Sequence, residues 1–153
     1  MDLWVLPIGA GRKPFVYQKT PFIEWRGRFS PNGHWVAYIS TELGSSQVFV
    51  QSFPQARGRR QVSTGGGLYM IGWRRDGREL YYETETGDVM AAPVESSADD
   101  FRFEAPRRLF RLSEGSNGDV SADGQRFIFA EPGEKQSSLP LTVVLNWQAG
   151  LKQ

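Results

Sequence analysis

Three glycines set the frame of this 153-residue chain. Gly33, Gly77 and Gly124 lie 44 and 47 residues apart, and each closes a copy of one short grammar: Phe29-Ser30-Pro31-Asn32-Gly33, Trp73-Arg74-Arg75-Asp76-Gly77 and Val120-Ser121-Ala122-Asp123-Gly124. Three residues beyond each glycine stands a large apolar residue (Val36, Leu80, Phe127), and two further on an aromatic (Tyr38, Tyr82, Phe129). That is the period of one strand face. The position between them is also apolar (Ala37, Tyr81, Ile128), so these strands are expected to be covered on both faces. Asn32-Gly33, Asp76-Gly77 and Asp123-Gly124, each set between apolar runs, predict hairpins with two-residue type I′ turns. A repeat of roughly 40–45 residues whose strands are covered on both sides is expected of four-stranded β-propeller blades.

The chain divides accordingly. Leu3-Trp4-Val5-Leu6-Pro7 matches Val89-Met90-Ala91-Ala92-Pro93 and reads as the third strand of a blade, with Lys13 to Gln18 as its outer strand. One complete blade follows: Phe22 to Ser30, Trp35 to Thr41, Gln47 to Phe53, Arg60 to Ser63. A second runs Leu68 to Arg74, Glu79 to Glu83, Asp88 to Val94 and Arg108 to Arg111, with Glu95 to Asp100 as a polar loop. The last holds Asp119 to Ser121, Gln125 to Ala130 and Leu141 to Trp147, with the loop Pro132 to Ser138 before its final strand. The blades are thus 1–19 (partial), 20–64, 65–112 and 113–148 (partial), in one all-β half-propeller domain. Closed rings need roughly four to eight blades, so about three leave two sheet faces uncovered. Two copies arranged head to tail, each completing the other's last blade, would form a six-bladed ring. The competing expectation is a piece of a longer propeller.

Composition excludes several classes of function. Lys and Arg number 18 against 17 Asp and Glu, which gives no global argument for nucleic acid or an anionic membrane, and neither is expected as the partner. Cysteine is absent, removing disulfides, thiolate metal sites and thiol nucleophiles. No apolar run reaches the roughly 18 residues of a membrane span, and Met1 to Pro7 lacks the features of a signal peptide. The sequence as it stands predicts a cytoplasmic chain, or a periplasmic one if a targeting segment stands upstream.

Phe29 to Tyr38, leading to Gln47-Val48-Phe49-Val50, resembles the TolB-like propeller repeat, whose usual core is Trp-Ser-Pro-Asp-Gly before a hydrophobic strand. Trp73 to Tyr82, Pro106 to Phe110, Asp119 to Phe127 and Val143-Val144-Leu145-Asn146-Trp147 resemble the closing repeats of propellers attached to bacterial serine/threonine kinases and transcriptional regulators. The likeness covers nearly the whole chain, with departures at Asn32, Arg74, Arg75 and Ala122, where the family usually has Asp, Ser, Pro and Pro. It implies a binding, scaffolding or sensing propeller for a protein or peptide partner, with no cofactor. No kinase signature is present.

Few residues suggest chemistry. His34, the single histidine, follows a hairpin glycine and has no Gly-x-Ser-x-Gly elbow to serve. Ser63-Thr64-Gly65-Gly66-Gly67 lacks the Lys-Ser/Thr ending of a phosphate loop and reads as an interblade turn. Arg59-Arg60 and Arg107-Arg108 recur at the starts of outer strands, where charge protects an edge; the competing reading is an acidic partner or a phosphate backbone. Since first strands surround the axis of a propeller, Glu24, Trp25 and Arg26, with Tyr69, Met70, Glu114, Asn117 and Asp119, are the expected ligand-facing rim. Six-bladed lactonases hold Ca²⁺ at such a mouth, which makes a hydrolase the alternative; no Asp-x-Asp-x-Asp-Gly loop occurs here.

Overall fold

The computed structural model describes residues 1–112 and 118–130, and among them every regular element is a β-strand. β1 (Leu3–Val5) and β2 (Phe15–Gln18) form a two-stranded sheet. A four-stranded sheet follows in chain order: β3 (Glu24–Phe29), β4 (Trp35–Ser40), β5 (Gln47–Ser52) and β6 (Arg60–Gln61). The next contains β7 (Tyr69–Trp73), β8 (Glu79–Glu83) and β9 (Asp88–Ser96), and the far edge of β9 takes both β10 (Phe101–Phe103) and β11 (Arg107–Arg111). β12 (Gly118–Val120) and β13 (Phe127–Phe129) make the last pair. All pairings are antiparallel. The expected strand Leu141 to Trp147 and the loop Pro132 to Ser138 lie outside the described residues.

Alternation within the strands decides what packs on what. Trp35, Ala37 and Ile39 of β4, with Val48 and Val50 of β5, meet Met70, Leu80, Tyr82, Ala92, Val94 and Phe101 of the next sheet in one buried cluster. The opposite face of that sheet, carrying Ile71, Tyr81, Val89 and Ala91, packs against Val120, Phe127 and Phe129. Both faces of the central strands are therefore consumed by packing, and the sheets stack as blades do. The innermost strands β3, β7 and β12 run as neighbours down one side of the stack.

The hairpin turns differ from expectation. Gly33, Gly77 and Gly124 have φ of 72°, 74° and 71°, but Asn32, Asp76 and Asp123 do not share the positive region. Gly33 N donates to Ser30 O at 2.9 Å, and Ser30 N to Trp35 O at 2.8 Å; the other two turns repeat this pair of bonds. The loop is thus a type I turn followed by a left-handed glycine, and with Phe29 opposite Val36 it runs from Pro31 to His34, two residues longer than a type I′ hairpin loop. Pro31, whose ring holds φ at about −65°, fits the first central position of this type I turn, which Arg75 and Ala122 take in the other two. The Asn32 and Asp123 side chains accept from the residue two further on, His34 N at 3.1 Å and Gln125 N at 3.0 Å, which holds the turn without a positive φ of their own.

A second correction concerns Glu95 to Asp100. Glu95 and Ser96 extend β9, and β10 returns alongside it, so the segment is a hairpin arm with Ser97 to Asp100 as its tip. The arm crosses to the neighbouring sheet: Trp35 Nε1 donates to Ser97 O at 2.8 Å, and the Phe101 ring lies 5.2 Å from that of Trp35. Phe101 is fully buried.

Candidate functional site

Antiparallel order puts two kinds of connection at one end of the stack. Links from an outer strand to the next inner strand lie beside turns joining second to third strands: Gly67 N donates to Ser46 O, and Leu112 N to Gly87 O, both at 2.9 Å. The glycine run before β7 is part of this packing. A Cβ on Gly67 would come within 2.5 Å of Val48 Cγ2, so the close approach of the link to β5 accounts for a residue without a side chain there.

At this end the inner strands carry the expected rim, and they distribute its residues unevenly. In β3 the register passes from Trp25 opposite Ile39 to Arg28 opposite Ala37, so Arg26 and Gly27 together face a single residue of β4. This bulge sets Arg26 at φ 57°. A left-handed backbone costs a residue other than glycine on the order of 1–3 kcal/mol. The bulge turns the Arg26 guanidinium across to the next sheet, where it lies 3.8 Å from the centroid of the Tyr69 ring. Such a contact at an exposed site contributes about 0.5–1 kcal/mol, less than the strain. Arg26 and Arg28 are both exposed, and among the described residues neither has a carboxylate within ion-pairing distance.

The other rim residues are placed differently. Met70 has no exposed surface and belongs to the core between sheets. Trp25 packs half-buried against that same core. Glu24 is 1% exposed, accepts from the Thr20 hydroxyl, and among the described residues finds no hydrogen-bond donor for Oε2. Asp119 sits opposite Ile128, on the face of its sheet turned away from Val120, Phe127 and Phe129, and its carboxylate accepts from Val120 N at 2.8 Å. Glu114 and Asn117 lie outside the described residues. The structure therefore brings together Arg26 and Tyr69; Arg28, two residues along the same strand and also exposed, is one that sequence reasoning passed over.

The outer strands show the opposite electrostatics. Arg111 grips Asp88 through two bonds of 2.8 Å, and the pairing holds that carboxyl down at about 2. Arg108 approaches the same carboxylate at 3.6 Å. Arg107 and Arg74 share Glu79 at 2.7 and 2.9 Å, and Tyr81 Oη donates to it at 2.5 Å. Burial opposes ionisation of Glu79, but these three donors outweigh it and lower its pKa. Arg59 pairs with Glu42. The arginine pairs that sequence singled out are thus internally neutralised, and His34 stands on an exposed turn.

At the far end of β7, a groove of about 730 Å³ lies between the Asp76-Gly77 turn and the β9–β10 arm. Arg78 and Arg102 line it together with Asp76, Glu95 and Glu104, so it favours neither sign of charge. Among the described residues no group of three or more His, Asp or Glu side chains is arranged to hold a metal ion.

No protein-family model matches the chain, and no curated protein matches it. Among solved structures, 14 chains match. One is TolB from Acinetobacter baumannii, at a TM-score of 0.58 and 17% identity, covering 78% of this chain and 29% of that one. The chain spans less than a third of that protein's length, and the likeness is one of fold: the stacked antiparallel sheets are blades of the β-propeller kind.

Proposed function

We propose that this chain supplies blades to a β-propeller that binds a protein or peptide partner and carries out no catalysis. The observation behind this reading is the exposed Arg26–Tyr69 contact, made between the inner strands of two stacked sheets whose flat faces are already used in packing. Rims of this kind offer a few convergent polar and aromatic groups on a rigid frame. Selection from a random peptide library is expected to yield binders that slow amide exchange in residues 22–28 and 66–70. Binders that protect only the outer strands β6 and β11 would contradict the assignment.

The hydrolase alternative makes a separate prediction. A Ca²⁺ site on the native state would raise the thermal midpoint with calcium concentration, whereas the non-catalytic reading expects no change.

Ring completion belongs to the same proposal. Trp4 and Val16 face each other across β1 and β2 with 60% and 40% of their surface exposed, beside Leu6 at 70%, and Ile128 at the other end of the stack is 72% exposed. A second copy stacked head to tail would cover them, giving twice the 17.3 kDa chain mass in light scattering. The alternative is that further blades of a longer polypeptide cover them, as in the sensor propellers that the closing repeats resemble. The 29% coverage of TolB favours this alternative, which a monomer mass would support.

A further inference from the structure

Arginines on the strands of this protein fall into two populations, whereas Arg12, Arg57, Arg75, Arg78 and Arg126, on turns and loops, are exposed with no ion pair among the described residues. Those on outer strands are each matched to a carboxylate: Arg60 and Arg102 to Asp100, Arg107 to Glu79, Arg108 and Arg111 to Asp88. Arg26 and Arg28, on the innermost strand, have no such match among the described residues, although both are exposed. Arg26 is also held in a left-handed backbone that glycine would occupy without strain, and its guanidinium is laid against Tyr69. A stacked guanidinium is oriented before any ligand arrives, because the ring fixes the plane and leaves the N–H edge free. Its planar fork matches a carboxylate in geometry as well as charge. Arg28 resumes the strand register two residues on, opposite Ala37, so it projects on the side of β3 that faces the sheet of Tyr69.

We propose that Arg26 and Arg28 form a carboxylate-binding site that selects an acidic peptide segment, an inference that rests on the binding-module reading and specifies its partner. Charge steers the segment toward the axis, and Tyr69 holds Arg26 so that less side-chain freedom is lost on binding. The outer arginines contribute little because their charge is already spent on Glu79, Asp88 and Asp100.

The test uses the full chain and an array of random octapeptides, acetylated and amidated so that side chains alone supply carboxylates. Wild-type binders are expected to be enriched in Asp and Glu. Arg26→Gly/Arg28→Gln, in which glycine keeps the left-handed backbone, is expected to weaken those binders by about tenfold, whereas Arg107→Gln/Arg108→Gln leaves them within about twofold. Should the inner double variant fail to fold, Arg28→Gln alone preserves the Arg26–Tyr69 contact and is expected to lose about threefold. Binders without acidic enrichment, or acidic binders that respond to the outer variant and not the inner one, overturn the carboxylate site and leave the binding module standing. A complete lack of binders overturns both.

Discussion

The two layers flanking the four-stranded sheet are built from different materials. Between it and the sheet of β7 to β11 lies a dry layer of Ile39, Val48, Val50, Met70, Leu80 and Phe101. Between it and β1–β2 lies a layer where polar groups join the aromatic contacts of Phe15 and Tyr17 with Phe53: Tyr17 Oη donates to Ser52 O at 2.9 Å and Gln51 Nε2 to Gln18 Oε1 at 3.0 Å across it, while Tyr38 Oη donates to Gln51 Oε1 at 3.1 Å from within the sheet. One sheet thus shows two ways of joining blades. The apolar layer draws its strength from area removed from water and from close packing, which tolerate no lost volume. The polar layer gives modest net energy for each bond but fixes one arrangement, since any displaced partner leaves a buried group unsatisfied.

Cutting into the apolar layer should therefore cost most. Phe101→Ala removes a fully buried ring shared with Trp35, Trp73 and Phe103, and is expected to lower stability by about 3–5 kcal/mol in urea unfolding. A loss under about 1 kcal/mol would mean that the arm does not grip the neighbouring sheet. In the polar layer, Tyr38→Phe strands Gln51 Oε1 and should cost about 1–3 kcal/mol. The double change Tyr38→Phe/Gln51→Leu should cost less than the two single changes added together, which a mutant cycle would read directly.

Alkaline pH offers a finer comparison. Burial raises the pKa of Tyr17 and Tyr38 in the polar layer, and pushes Tyr82 in the apolar layer up to about 12. The folded state thus favours neutral phenols that ionise near pH 10 once unfolded. Their contribution is fully present below that pH and is lost as pH rises from about 10 through the folded values. Stability flat to pH 9 and falling beyond 10, with Tyr82→Phe shallower than wild type, is the expected profile. Smallest of all, Arg102→Ala breaks an exposed pair with Asp100 at 2.8 Å and should change stability by less than about 1 kcal/mol. A larger loss would show that the arm is held by charge.

Much of the architecture was legible because its signals are local. A left-handed glycine closing each hairpin, followed by a fixed run of apolar residues, announces the first two strands of every blade, and Gly33, Gly77 and Gly124 do so. The arm was hidden because Glu95 to Asp100 is polar, although Phe101-Arg102-Phe103 carries the alternation of a strand. The polar layer was hidden as well, since a glutamine such as Gln51 in a strand reads as solvent-facing. The rim suffered from bulges. One extra residue moves a side chain to the other face. β3 takes its bulge at Arg26-Gly27 and β7 at Ile71, so Arg26 is exposed whereas Met70, its counterpart by the glycine spacing, is buried. Register irregularities of this kind follow from packing between sheets, which no short stretch encodes.

The face-to-face stacking of the two large sheets is the claim on which the rest depends, and nuclear Overhauser effects from the Phe101 ring test it most directly. Contacts to Trp73, within its own sheet, test the arm's course; contacts to Trp35 arise only across sheets. The structure predicts both, with ring centroids 6.2 Å and 5.2 Å away. A Phe101 ring that sees Trp73 but not Trp35 would contradict the stacking, and with it the rim that Arg26 and Tyr69 share.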